Sequence, residues 1–183
     1  MGFAIRIHPF EGIGQEILTL LLNKLSKRFD TEATLCETLP ISEPAYEPDR
    51  KQYRSNEFLK VLHNRWRGER VKALGVTHVD LFAPELNFIF GEAELGGTAA
   101  VISIARLDPT FFNRPANQKL LHKRVVKEAV HELGHAFGLR HCPSKKCAMH
   151  FSNSLSDTDF KQSRFCPVCS RLLSQAMRAE EAR

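Results

Sequence analysis

Residues 3–8 alternate: Phe3, Ile5 and Ile7 are separated by Ala4, Arg6 and His8, the period of a half-buried strand. The period then changes to three and four. Ile17, Leu18, Leu21, Leu22, Leu25 and Phe29 predict a helix over about 13–29. Glu11 and Glu16 near its start and Lys24, Lys27 and Arg28 near its end suit the helix dipole. A second strand is expected at 31–37. The stretch 38–54 carries Pro40, Pro44 and Pro48 and predicts a long loop, functional or mobile. Ser55 is placed to cap a helix over 56–67, with Phe58, Leu59, Leu62 and Trp66 on one side.

Strands follow closely, at Val76–Phe82, Leu86–Phe90 and Ala99–Leu107. The middle one is short and lies between Pro84 and the glycines Gly91, Gly96 and Gly97, which predicts an edge strand. A long helix should run from Ala116 to Phe137 and stop at Gly138, which takes the left-handed conformation at little cost. Residues 143–155 have no period. Ser156–Ser163 predicts one or two short helical turns, and a last helix runs from Pro167 into the tail. The order β-α-β-α-β-β-β-α predicts a mixed α/β domain with a twisted sheet, followed by two short helices.

Composition narrows the class. With 183 residues and 43% hydrophobic content the chain can bury a core of its own. Formal net charge is +5, but the basic residues are scattered: Lys27-Arg28, Arg65, Arg67 and Arg70, Lys123-Arg124, Lys145-Lys146. No run forms a polybasic arm, and aromatic interleaving is sparse, so the charge reads as solvated surface and no nucleic-acid partner is expected. No window approaches the roughly 18 apolar residues of a membrane span, and the first residues lack the apolar core of a secretory signal. A cytoplasmic protein without a membrane partner is expected, with a monomer favoured over an oligomer.

The chemistry concentrates at His131-Glu-Leu-Gly-His-Ala-Phe-Gly-Leu-Arg-His-Cys142. Residues four apart on a helix lie one turn apart on one face, so His131 and His135 present both imidazoles to one point, with Glu132 beside them. This spacing gives two zinc ligands and a glutamate placed to take a proton from metal-bound water. Catalytic zinc needs a third ligand, and His141 supplies it once the chain turns back at Gly138. Five fixed positions make coincidence remote.

Of the five cysteines, Cys142, Cys147, Cys166 and Cys169 fall in the last quarter of the chain as two pairs about twenty residues apart. In a reducing compartment this clustering indicates a structural zinc site on all four thiolates rather than disulfides. Cys36 stands alone and reads as a small buried residue. Because Cys142 adjoins His141, one zinc site would brace the other.

These residues carry a resemblance. HELGHAFGLRH resembles the metzincin metallopeptidase signature. Cys142, the spacing to Cys147, the later Cys166-Pro-Val-Cys169 and the stretch Leu86–Gly97 resemble one metzincin family, the archaemetzincins. The resemblance implies a metzincin-like domain, a catalytic zinc on His131, His135 and His141, a structural zinc on Cys142, Cys147, Cys166 and Cys169, and hydrolysis of peptide substrates as an aminopeptidase or endopeptidase. It also implies a Met-turn, filled by Met149. Residues 1–138 would form an α/β subdomain ending in the active-site helix, and 139–183 a small C-terminal subdomain. Several metzincin families carry a tyrosine two residues after the methionine. Phe151 stands there in this chain, and Tyr46 or Tyr53 could replace it only if the proline-rich segment covered the cleft. An alternative function is a zinc-binding module that binds protein or nucleic acid without turnover.

Overall fold

The computed structural model describes residues 3–181. Its centre is a five-stranded sheet made of β1 (Ala4–Pro9), β2 (Ala33–Leu35), β5 (Val71–Thr77), β7 (Gly91–Ala93) and β8 (Ala99–Ser103), in the order β2-β1-β5-β8-β7. All neighbours are parallel except β7, which runs antiparallel to β8 along one edge. Helices α1 (Gln15–Phe29) and α3 (Gln118–Ala136) cover one face. Helix α2 (Ser55–Trp66) covers the other.

Strand alternation divides the core between these faces. Leu74, Val76, Ala100 and Ile102 pack toward α1 and α3, whereas Ala73, Ala99 and Val101 pack toward α2. The alternation expected for residues 3–8 holds from Phe3 to Ile7 and ends where the strand is covered on both sides. His8, expected on a polar face, is fully buried. Its Nδ1 donates to the Glu37 carbonyl (3.1 Å) and its Nε2 accepts from Trp66 Nε1 (3.0 Å), so it is a satisfied core histidine.

The proline-rich stretch is more ordered than its composition indicates. It holds a short 3₁₀ turn (Glu43–Ala45), then β3 (Tyr46–Glu47) and β4 (Gln52–Arg54), which join β6 (Leu81–Phe82) in a second, three-stranded sheet. Arg50 and Gln52 donate side-chain hydrogen bonds to the carbonyls of Leu86 and Asn87. Ser55 does not cap α2. It is the helix's first residue, and its buried hydroxyl bonds the Phe82 carbonyl (3.0 Å) and the Glu92 carboxylate.

Leu86–Phe90 is not the edge strand. Glu85 takes a positive φ of 67° and Leu86 N–H closes a turn onto Ala83. Ile89 N–H is spent on Leu81, through an isolated bridge. The edge lies a few residues later, at β7. Cys36 is half-buried rather than enclosed, just beyond β2. The remaining helices are α4 (Leu155–Phe160), with a Ser154–Asp157 capping box, and α5 (Pro167–Glu181).

Candidate metal centre

Helix α3 carries the site. Its C-terminal half is enclosed, with His131, Glu132, Leu133, Gly134 and Ala136 all buried. Gly138, at φ 87°, turns the chain back, and its N–H bonds the His135 carbonyl (2.7 Å). That reversal brings His141 to the other two histidines. The ligand atoms of His131, His135 and His141 all lie within 4.8 Å of one another.

Backbone carbonyls fix the tautomers. His131 Nδ1 is 2.7 Å from the Ala148 carbonyl, and His135 Nδ1 is 2.7 Å from the Leu139 carbonyl. A carbonyl only accepts, so both Nδ1 atoms carry the proton. Both Nε2 atoms are then bare acceptors, 3.1 Å apart and facing each other. Two lone pairs aimed at each other repel unless a cation sits between them. Burial also lowers the pKa of His131 well below its usual value, with Lys161 and His135 adding to the effect, so the ring stays neutral and able to ligate. His135 and His141 are lowered as well, chiefly by burial. The donor set fits a metal with imidazole ligands.

Glu132 is buried beside this triad. Burial raises its pKa well above the carboxylate range, Glu128 and Glu92 raise it further, and Lys161 opposes them. A cation on the neighbouring imidazoles would favour the carboxylate. Glu128, one turn earlier on the same stripe of α3, is paired with the fully buried Lys161 (3.1 Å) and accepts from Thr158 Oγ1 (2.9 Å).

The segment below α3 does three jobs in consecutive residues. Cys147 contributes a thiol to the cysteine cluster, Ala148 orients His131, and the fully buried Met149 lies against Gly134. A Cβ at Gly134 would collide with the Met149 sulfur. Cys142 N–H closes the loop by donating to the Met149 carbonyl (2.9 Å).

Cys142, Cys147, Cys166 and Cys169 converge as the spacing implied, with sulfurs within 4.8 Å of one another. Their proton affinities diverge. Cys166 falls to about 7, led by a backbone hydrogen bond from Cys169, whereas burial and the neighbouring thiols push Cys169 upward. Four thiolates this close require a cation, and the set fits zinc.

The three histidines open into a cleft of about 720 Å³. Residues of 83–95 form one rim, and Arg140, His141, Phe151, Ser152 and Asn153 form the far side. The Phe151 ring lies 4.8 Å from that of His141. Tyr46 and Tyr53 pack with tilted rings 5.0 Å apart in the small sheet, and neither lines the cleft. Sequence reasoning missed the Ala148 and Leu139 carbonyls, Glu92, Arg140 and the Glu128–Lys161 pair. Only Glu128 carried a signal, four residues before Glu132.

A cleft floored by such a helix, within a mixed α/β fold, defines a zinc metallopeptidase of the metzincin type. Known proteins narrow the class. Residues 40–175 match peptidase family M54. The archaemetzincin of Pyrococcus abyssi is 43% identical over 181 residues, covering 96% of each chain. The crystal structure of archaemetzincin from Methanopyrus kandleri superposes with a TM-score of 0.85 at 36% identity, covering 97% of this chain and 96% of that one. A zinc-dependent peptidase from Methanocorpusculum labreanum superposes with a TM-score of 0.81 at 26% identity, covering 92% of this chain and 99% of that one. The chain belongs to the archaemetzincin family.

Gly134→Ala tests the packing beneath the site. Alanine favours a helix over glycine by about 1 kcal/mol. Overpacking against the buried Met149 costs about 1–3 kcal/mol. The clash should win, because the added Cβ would overlap the sulfur of a fully buried Met149 and lie 3.3 Å from the Phe165 ring. Chemical denaturation should show a less stable protein, and zinc titration a weaker histidine site.

Proposed function

We propose that His131, His135 and His141 hold a catalytic zinc, that Glu132 is the general base for peptide-bond hydrolysis, and that Cys142, Cys147, Cys166 and Cys169 hold a second, structural zinc. The observation that carries this is the pair of facing Nε2 atoms, each backed by an Nδ1–H to a carbonyl. The zinc dependence of the Methanocorpusculum labreanum peptidase supports the choice of metal. When bound, zinc polarises the scissile carbonyl and brings the pKa of water toward neutrality. Glu132 accepts the proton of the attacking water and delivers it to the leaving amine. Residues 1–138 then form the unit that ends in the site helix, and 139–183 the unit that supplies the third histidine, Met149 and the thiols. The substrate is a peptide, cut internally or from its amino end, and product masses from a peptide library separate the two.

The edge strand supports how the peptide is held. Glu92 lies opposite Val101, flanked by the bonds Ser103 N–H to Phe90 and Glu94 N–H to Ala99. Alternation therefore turns the backbone groups of Gly91 and Ala93 outward, and both residues line the cleft. An extended peptide would pair there by strand addition. Selectivity then comes from side-chain pockets past the metal, walled by Phe151 and Asn153.

Glu132→Gln should retain zinc and fold but lose turnover on the order of 10²–10⁴-fold, because an amide is no base at neutral pH. Near-wild-type hydrolysis would remove Glu132 from the mechanism.

Zinc-loaded protein should hold two ions of different lability. A mild chelator should strip the open histidine site first and leave the closed thiolate site filled. Cys169→Ser should lower zinc stoichiometry by one and lower the melting temperature, with activity falling alongside. A single zinc at saturation, or an unchanged melting temperature, would refute the structural site.

Ala93→Pro should remove an outward N–H without touching the β7–β8 pairing. Affinity for an extended peptidic inhibitor should drop while zinc content stays constant. Unchanged affinity would mean that β7 is not the substrate strand.

A further inference from the structure

Away from the cleft, α1 and the N-terminal half of α3 enclose a second concavity of about 640 Å³. Its charge is one-sided. Lys24 and Arg28 come from α1, Lys119, Lys123 and Lys127 from α3, and Arg164 from the segment before α5. These six cations outnumber the chain's whole net charge of +5. Glu16 is the sole carboxylate among the lining residues.

The cations are spaced four apart on both helices, so each helix points a stripe of like charge into the groove. Like charges at this spacing destabilise a helix. Among the described residues none of the six joins an ion pair. Lys127 alone has other partners, the carbonyls of Thr158 and Asp159. Burial and the facing Arg164 lower the pKa of Arg28. His122, between the stripes, has a buried Nε2 without a hydrogen-bond partner, with Glu16 Oε1 3.5 Å away. The cations of the groove outnumber its carboxylate six to one.

We propose that this groove binds a compact polyanion carrying two or three clustered phosphoryl groups. The stripe from Lys119 to Lys127 covers about 12 Å at 1.5 Å per residue, a length that fits a short phosphate chain. Lysine and arginine both bind phosphate oxygens through charge-assisted bonds. No aromatic side chain other than the His122 ring lines the groove, so there is no stacking platform for a nucleic-acid strand. Concavity also favours a compact ligand over a long duplex. The apolar lining, Leu20 and Val126, gives a small surface for an organic body.

Calorimetry on zinc-loaded protein tests the proposal, with inorganic triphosphate and a nucleoside triphosphate as probes. Triphosphate should bind once per chain and more weakly as salt rises. The double variant Lys24→Gln, Lys123→Gln should keep its fold, zinc and peptide hydrolysis but bind triphosphate at least about tenfold more weakly, the scale of one lost charge-assisted contact. Any heat from zinc withdrawal by the probe would persist in that variant, so the difference isolates the groove. Equal affinity for the two probes would assign recognition to the phosphoryl groups. Tighter binding of the nucleoside triphosphate would add its organic body. Either result sustains the site. Wild-type binding by the variant, or no binding of either probe, overturns it. So does short duplex DNA that displaces triphosphate at lower concentration than triphosphate itself requires, which would make the groove a nucleic-acid interface.

Discussion

Met149 is seated against the one helical position without a side chain, and much of the site depends on that contact. Gly134 lies between the metal-facing histidines on α3, so whatever packs there sets the distance from the helix to the chain below it. The sulfur of Met149 does this, and it brings two neighbours with it. Ala148 arrives with its carbonyl under His131, and Cys147 arrives with its thiol in the cysteine cluster. A shift of this tripeptide would misorient an imidazole and open a thiolate site together. The histidine triad and the cysteine cluster therefore form one mechanical unit, with Cys142 closing the circuit from His141 back to Met149.

Charge is placed with equal economy. Glu132 is buried where a carboxylate is disfavoured, next to a second buried acid, Glu128. Lys161 neutralises Glu128 at 3.1 Å, from the segment just after α4. Without that lysine, two uncompensated acids would share one dry helix face. Breaking a buried pair by losing one partner costs about 3–5 kcal/mol, so the pair fixes the position of α4 as well as the field at the site. The chain after the last histidine thus supplies the countercharge, an orienting carbonyl and the methionine seat to a helix that precedes it.

The histidine and cysteine clusters were legible because helix geometry is written in residue spacing. His131, Glu132 and His135 follow from a period of 3.6, Gly138 from the need for a turn, and the cysteine pairs from thiol chemistry. What supports the ligands was not legible. The carbonyls of Ala148 and Leu139 come from residues whose side chains say nothing about hydrogen bonding. The misplaced edge strand has a physical cause of a different kind. Leu86, Phe88 and Phe90 alternate like a strand, but Leu86 stays 44% exposed and Arg50 and Gln52 occupy the backbone carbonyls that a sheet would use. The true edge, Gly91–Ala93, has too little apolar content to register. His8 failed for a related reason. In a central parallel strand both faces are buried, and polarity then marks a hydrogen-bonded core position rather than a solvent face.

Helix α3 unites these observations through its length. Nineteen residues give about 28 Å at 1.5 Å per residue, enough to reach both the cleft and the groove. Its C-terminal half is buried, carries the imidazoles and Glu132, and faces a cleft with carboxylates at Glu85, Glu92, Glu128 and Glu132. Its N-terminal half is partly exposed and carries Lys119, Lys123 and Lys127 into a groove of opposite sign. The helix dipole opposes this layout, since cations are favoured at a helix C-terminus rather than at the N-terminus. Only Lys119 lies in the first turn and carries that cost, while Lys127 is held by the Thr158 and Asp159 carbonyls and Lys123 has no partner of its own among the described residues. A cost of that kind persists where the charges face something other than their own fold. The cleft and the groove are set on one rigid element whose two halves are specialised for opposite electrostatics.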